Sequence, residues 1–198
     1  MILRPWVIVL AAGGSRRFGG PKLLARIRGE TLLQRAVRAA LGARPAGCVV
    51  VLGARGDMLR RRLHAWPVRV VVNRHWRSGL ASSIRAGIAA LPREAPAALL
   101  LLADQVGVGP AELELVIAAS RRAPRAIVAS RWGAVTGPPA LFPRREFADL
   151  KRLRGDSGAR RLLTDPRRRV VVLELPGAAG DVDRPADLRR LRTLHVPS

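Results

Sequence analysis

LAAGGSRRFGGPK, residues 10–22, follows the apolar run WVIV at residues 6–9. It packs four glycines, two arginines and one lysine into thirteen positions. A β-branched apolar run that hands over to a glycine-rich basic loop reads as a strand ending in an anion-binding turn. Glycine tolerates unusual dihedrals and close approach, so backbone N–H groups at Gly13, Gly14, Gly19 and Gly20 can converge on an anion. Arginine grips phosphate oxygens bidentately and lysine acts as a point charge. A nucleoside triphosphate is a ligand of matching charge.

Spacing separates this loop from two better-known devices. A P-loop requires G-x-x-x-x-G-K-[ST]. Gly14 and Gly19 have the spacing, but Gly20 stands at the lysine position and Lys22 is followed by Leu23. A dinucleotide loop requires G-x-G-x-x-G and an acidic residue closing the second strand. Here Gly13 and Gly14 are adjacent, and the second run closes with Leu52, Gly53, Ala54 and Arg55.

Working outward, WVIVLA (6–11), CVVVLG (48–53), VRVVV (68–72), AALLLLA (97–103), RAIVAS (125–130) and VVVLEL (170–175) read as strands. The first five lack polar alternation, which suits strands buried on both faces of a parallel sheet. ETLLQRAVRAAL (30–41), DMLRRRLHAW (57–66), ASSIRAGIAAL (81–91) and PAELELVIAASRR (110–122) have helical spacing, and the last opens on a proline suited to a first turn. This alternation predicts an α/β fold: one Rossmann-like, doubly wound, mostly parallel sheet with helices on both faces. After residue 131 the rhythm breaks. WGAVTGPPALFPRREF reads as loop with a short edge strand at most. A last strand and the helix PADLRRLRTL (185–194) close the chain. Ligands of such sheets bind beyond the strands' carboxyl ends, where both the glycine loop and Asp104 fall.

The 198 residues suit a single domain with a sizeable core. The formal net charge is +22, which raises nucleic acid as a partner. Of 36 basic residues only Lys22 and Lys151 are lysine; the arginines are scattered, in a chain also rich in Ala, Gly and Pro. Aromatic content is 4% with no tyrosine, so no stacking platform for bases is evident. The charge therefore reads as solvated surface with an anionic substrate as a secondary cause, and neither nucleic acid nor a membrane is expected as a partner. One cysteine, Cys48, precludes an internal disulfide and suits a reducing cytoplasm. His64, His75 and His195 lie far apart, and no zinc pattern is present.

The loop resembles the L-A-A-G-x-S-x-R-x-G-x-x-K motif of the molybdopterin nucleotidyltransferases, which have the nucleotide-diphospho-sugar transferase fold. The resemblance continues through NRHWRSGLASSIRAGI (73–88), LLLADQ (100–105), GPPALFPRREFADLKRLRGDSGARRLL (137–163) and DVDRPADL (181–188), and is nearest to the molybdenum cofactor cytidylyltransferases. Phe18, Val106, Pro138 and Arg184 depart from the residues that family usually carries.

The resemblance implies a set of roles. Leu10, Ala11, Ala12, Gly13, Gly14, Ser15, Arg17, Lys22, Ser82 and Ser83 would hold the nucleotide. Lys22, Arg17 and Asp104 would carry catalysis by neutralising and placing the phosphates. Asp104 and Asp183 would hold Mg²⁺, and Asp156 and Arg160 would orient the acceptor. On the residues alone, Asp104 and Asp183 could instead cap helices, Ser82 and Ser83 could cap the helix they open, and GDSGAR could be a surface turn. Residues 1–105 would form the nucleotide half and 106–198 the acceptor half of the one domain. The implied reaction is transfer of CMP from CTP to the phosphate of a molybdopterin-type acceptor, with release of pyrophosphate. The product would pass to a molybdenum hydroxylase or its maturation factor, and a monomer is expected. Alternatives are GTP or another phosphorylated acceptor on the same fold, a nicotinamide-dependent oxidoreductase, and a basic nucleic-acid-binding protein.

Overall fold

The computed structural model describes residues 4–179, 182 and 184–193. Among the described residues, strands and helices succeed one another in the following order. Strand β1 (Trp6–Ala11) leads into the glycine loop and a small ribbon of β2 (Arg26–Ile27) with β3 (Glu30–Thr31). Then follow α1 (Leu32–Gly42), β4 (Gly47–Leu52), α2 (Gly56–Arg61), β5 (Arg69–Val72) and α3 (Leu80–Ala89). The second half runs β6 (Ala97–Leu102), α4 (Pro110–Arg122), β7 (Ile127–Trp132), β8 (Val135–Pro143), α5 (Phe147–Arg152), α6 (Arg160–Leu163), β9 (Val170–Glu174) and α7 (Pro185–Thr193).

Seven strands form one sheet in the order β5-β4-β1-β6-β8-β7-β9. The strands run parallel except β8, which is antiparallel to both neighbours. Central β1 is flanked by β4 and β6, with Val9 opposite Val50 and Leu101. Alternation of side chains across the pleat divides the core. Val7, Val9 and Ala11 face one layer, closed by Leu33 and Val37 of α1, Leu59 of α2, Val116 of α4 and Leu188 of α7. Ile8 and Leu10 face the other, closed by Ile84 and Ile88 of α3, Leu150 of α5 and Leu162 of α6. Burial on both faces explains why the strand sequences lack polar alternation.

Three expectations are corrected. The stretch read as loop after residue 131 contains β8, a nine-residue interior strand. Its proline pair misled the reading. Ala140 pairs with Ala129 but Gly137 pairs with Ser130, so Pro138 and Pro139 fall in a bulge where no ladder N–H is required. The Ser130 hydroxyl donates to the Pro139 carbonyl at 2.6 Å across it. Next, α2 stops at Arg61 rather than residue 66 and continues as three-residue turns into Pro67, which cannot extend a helix. This short helix leaves edge strand β5 half-exposed, with Val72 41% accessible, so β5 is not buried on both faces. Finally, α1 starts at Leu32 because Thr31 closes the ribbon and caps the helix. Its hydroxyl accepts from Gln34 N at 3.2 Å, and the Gln34 side chain accepts from Thr31 N at 3.2 Å.

Arg168 fastens the layer formed by the end of β8, α5 and β9. It bonds Glu146, whose side chain is only 5% exposed, and donates to Asp149 at 2.7 Å, joining the end of β8 and α5 to the entry of β9. The Arg168 hydrogen bond holds the Asp149 carboxyl below its usual range. A carboxyl whose pKa is lowered by folding stabilises the fold above its unfolded pKa, and that contribution fades as pH falls through the folded value. Arg168→Met, which leaves the buried Glu146 carboxylate with Arg145 at 3.1 Å as its remaining partner and Asp149 without the Arg168 bond, is expected to cost about 3 kcal/mol or less at neutral pH. Urea unfolding from neutral to strongly acidic pH should show the deficit shrinking below the ordinary carboxylate range.

Candidate functional site

The carboxyl ends of β1 and β6 open into a cleft of about 470 Å³. Its lining includes eleven of the thirteen described positions singled out in the sequence: Leu10, Ala11, Ala12, Gly13, Gly14, Ser15, Arg17, Lys22, Ser83, Asp104 and Asp156. Ser82 and Arg160 do not line it. Asp183 lies outside the described residues.

The glycine loop is shaped as its composition requires. β1 ends at Ala11, and the chain leaves the sheet through Gly13 and Gly14. A one-turn helix at Arg16–Phe18 is entered by Ser15 at φ 53° and left by Gly19 at φ 72°, both in the left-handed region. A second turn at Lys22–Leu24 starts from Pro21. A Cβ placed on Gly13 or Gly20 would meet nothing within 4 Å. These glycines are not demanded by internal packing, and Gly13 lines the cleft.

Lys22 and Asp104 come from positions 82 residues apart and meet at 2.6 Å. The contact follows from the topology: β1 and β6 are neighbours, so what leaves each at the same edge must lie side by side. The two side chains are 11% and 23% exposed, leaving both reachable from the cleft. Asp104 is anchored through its carbonyl, which accepts from Val182 N at 3.2 Å. The next residue, buried Gln105, donates to the carbonyls of Pro138 at 2.8 Å and Ala178 at 3.2 Å. The carboxylate therefore sits on a strand end braced from three directions.

The far wall comes from the segment after β5. Trp76 and Arg77 line the cleft, with the guanidinium 4.7 Å from the centre of the indole ring. Neither residue was selected from the sequence, although both fall within the stretch 73–88. A solvent-facing Trp-Arg pair immediately after a strand was the available signal. The serines of that stretch behave differently from a helix cap. Helix α3 begins at Leu80 after Gly79, so Ser82 and Ser83 lie inside its first turn. Buried Asn73 donates to Ser82 Oγ at 2.8 Å and Ser83 Oγ at 3.1 Å, and accepts from His75 N at 2.9 Å. Ser82 Oγ further contacts the Gly79 carbonyl at 2.8 Å. This network clamps the Trp76 turn onto α3.

The turn at residues 155–158 borders the cleft beside α3. The Gly155 carbonyl accepts from Ala81 N at 3.1 Å. A Cβ on Gly79, which has φ 101°, would lie 2.4 Å from that carbonyl and 2.6 Å from Asp156 Oδ1. Only glycine fits there. Asp156 thus reaches the mouth of the cleft, while Arg160, in α6, lines an adjoining cavity.

The cleft offers cations for phosphate and carboxylates for a cation, and its described lining holds no cysteine or histidine. Cys48 is buried in β4, and burial pushes its thiol up to about 12, so it is not a nucleophile. Asp104 supplies hard oxygen donors. No group of three or more His, Cys, Asp or Glu side chains suited to a metal occurs among the described residues. Oxygen donors such as those of Asp104 suit a hard divalent cation.

Residues 7–170 match the model of the MobA-like NTP transferase domain. The chain belongs to this family. Among relatives, nicotine blue oxidoreductase of Paenarthrobacter nicotinovorans is 35% identical over 138 residues, covering 68% of this chain and 65% of the relative. Purine catabolism protein PucB of Bacillus subtilis is 30% identical over 196 residues, covering 93% and 94%. This chain spans half the length of another curated relative that it matches. The solved structure of Rv0371c from Mycobacterium tuberculosis is 31% identical and superposes with a TM-score of 0.84, covering 98% of this chain and all of that one. Its manganese complex superposes with a TM-score of 0.81 at 30% identity, covering 96% and 98%. As a MobA-like domain, the chain has the mixed, mostly parallel sheet of nucleotidyltransferases, and no described helix is long and apolar enough to cross a membrane.

Asn73→Ala is expected to destabilise the fold by about 1–3 kcal/mol, because the Ser82 and Ser83 hydroxyls and His75 N each lose a buried partner. Denaturant unfolding measures the loss, and nucleotide titration should show weaker binding as the Trp76 turn loosens.

Proposed function

We propose that this MobA-like domain is a Mg²⁺-dependent cytidylyltransferase that transfers CMP from CTP to the phosphate of a molybdopterin-type acceptor. The observation that carries the reading is the Lys22–Asp104 pair, set between the glycine loop and the end of β6 in the cleft. A cation and a carboxylate at 2.6 Å satisfy one another. A triphosphate gives Lys22 a better anionic partner and leaves the carboxylate for a metal.

In the proposed reaction an oxygen of the acceptor phosphate bonds to the α-phosphorus of CTP in line. The bond from that phosphorus to the bridging oxygen breaks, and pyrophosphate leaves with the electron pair. The attacking oxygen is already anionic, so no strong base is required, and catalysis rests on placement and charge neutralisation. Lys22 and Arg17 hold the phosphates against the open backbone of Gly13 and Gly14. Ala11, Ala12, Ser15 and Ser83 shape the nucleotide end, with Leu10 beneath; Ser82 acts through its clamp on the Trp76 turn. Asp156 and Arg160 meet the acceptor. Asp104, joined by Asp183, would hold Mg²⁺, which when bound offsets the charge growing on the leaving pyrophosphate. The manganese complex of Rv0371c supports a divalent ion in this family. Residues 1–105 serve as the nucleotide half and 106–198 as the acceptor half. A molybdenum hydroxylase or its maturation factor would receive the product from a monomeric, cytoplasmic enzyme.

A second reading, a nicotinamide-dependent oxidoreductase, is favoured by the name of the Paenarthrobacter relative. The glycine spacing and the absence of an acidic residue at Leu52–Arg55 weigh against it. Turnover that changes nicotinamide absorbance without releasing pyrophosphate would decide for it.

Asp104→Ala should retain the fold by circular dichroism and lose about a hundredfold or more in pyrophosphate release from CTP. Full Mg²⁺-supported activity in this variant would remove Asp104 from the metal site.

Ala12 sets the second expectation. It is buried, and its methyl packs beside Gly53 and Trp76 at the rim of the cleft. That methyl takes room a two-ring purine would need, a bias worth about 1–3 kcal/mol. The native chain should prefer CTP to GTP by kcat/KM, and Ala12→Gly should narrow the ratio. A native preference for GTP would overturn the cytidylyl assignment.

A further inference from the structure

A second cavity, of about 330 Å³, lies between α1 and the segment that enters α4. Ala103 lines both this cavity and the cleft, while Asp104 belongs to the cleft and Gln105 to the cavity. The end of β6 therefore separates the two spaces. The proposed reaction draws on no residue of the second one.

Arg35 of α1 marks this cavity out. Its Nε is shielded from water and has no hydrogen-bond partner. No other buried side-chain nitrogen or oxygen among the described residues is left so. A buried donor without an acceptor is costly, more so on a charged group. The other charged side chains of the wall are already engaged. Arg38 forks onto Glu30, and Glu112 accepts from Gly109 N at 2.8 Å and caps α4. Arg35 has no carboxylate beside it among the described residues. A lone water would answer Nε but leave the charge uncompensated.

The rest of the lining restricts what could compensate it. Leu32, Ala36, Ala39, Val106, Val108 and Pro110 give the cavity an apolar wall. Its volume falls at the small end of the range for whole-ligand sites, about 300–1,000 Å³. A guanidinium presents two parallel N–H groups that match a planar carboxylate. The negative charge of Glu112 on the same wall opposes a dianion more than a monoanion.

We propose that this cavity binds a small organic monocarboxylate, with the carboxylate forked on Arg35 and the apolar body against α1 and residues 106–110. The site is separate from the cleft, and it stands or falls independently of the reaction assigned to that cleft.

Benzoate serves as the probe, titrated calorimetrically into the full chain, with benzamide as its uncharged isostere. Benzoate should bind about tenfold or more tighter than benzamide. Phenyl phosphate at equal concentration should not displace it. Arg35→Met keeps a good helix former in α1 and should bind benzoate and benzamide alike. Lys22→Ala should bind benzoate as the native chain does. Nuclear Overhauser contacts from the benzoate ring to the Val106 and Val108 methyl groups test the location with no variant at all. Equal affinity for benzoate and benzamide, displacement by phenyl phosphate, or no contact to those methyl groups would overturn the site. So would a preference that survives in folded Arg35→Met, or benzoate binding lost in folded Lys22→Ala, which would move the probe to the cleft.

Discussion

The parallel hydrogen-bond ladder that locks β1 between β4 and β6 governs this molecule. A strand paired on both edges and covered on both faces must be apolar throughout, and it can leave the sheet only at its end. The chain therefore emerges from β1 into the glycine loop, and from β6 into Asp104, at the same edge and side by side. The candidate site is a consequence of that geometry. Two residues with no local reason to meet are brought within 2.6 Å because their strands are neighbours.

The periphery is arranged to hold this edge open yet ordered. Gln105 bonds β8 and the segment before residue 180 to the end of β6. Asn73 and two serines bind the Trp76 turn to α3, and the turn at Gly155 rests on the start of the same helix. The Asn73–serine bonds and the Gln105–Ala178 bond are buried, and a buried hydrogen bond is costly to leave unmade and so fixes position. The phosphate loop itself has few such braces from side chains, and its glycines face open space. Rigidity surrounds a loop whose backbone stays available to a ligand.

The sheet edge carries two kinds of surface. The β1 side presents charge and open backbone, which suit an anion. The β8 and α6 side presents side chains of varied size and polarity. Relatives with differing names share this family domain.

Much of this could be read along the chain. Apolar runs without alternation marked interior strands, 3.6-residue spacing marked α1, α3 and α4, and loop spacing ruled out two phosphate devices. These are local properties, and local sequence states them directly. Eleven of the thirteen described positions singled out lie on one cleft, eight of them within residues 10–22, because a motif is a contiguous segment and folds as one. Other features needed the tertiary structure. Strand β8 hid behind two prolines whose missing N–H groups only a bulge against Ser130 makes harmless. The exposure of β5 depends on how far α2 reaches. Trp76 and Arg77 reach the cleft through a turn clamped by Asn73, and Ser82 is turned away by the same clamp. The sequence by itself determined which segments are strands, helices and a phosphate-type loop, since those follow from neighbours in the chain. Which side chains share a cavity was decided by strand order and helix placement, because long-range packing sets distances between residues that the chain keeps far apart.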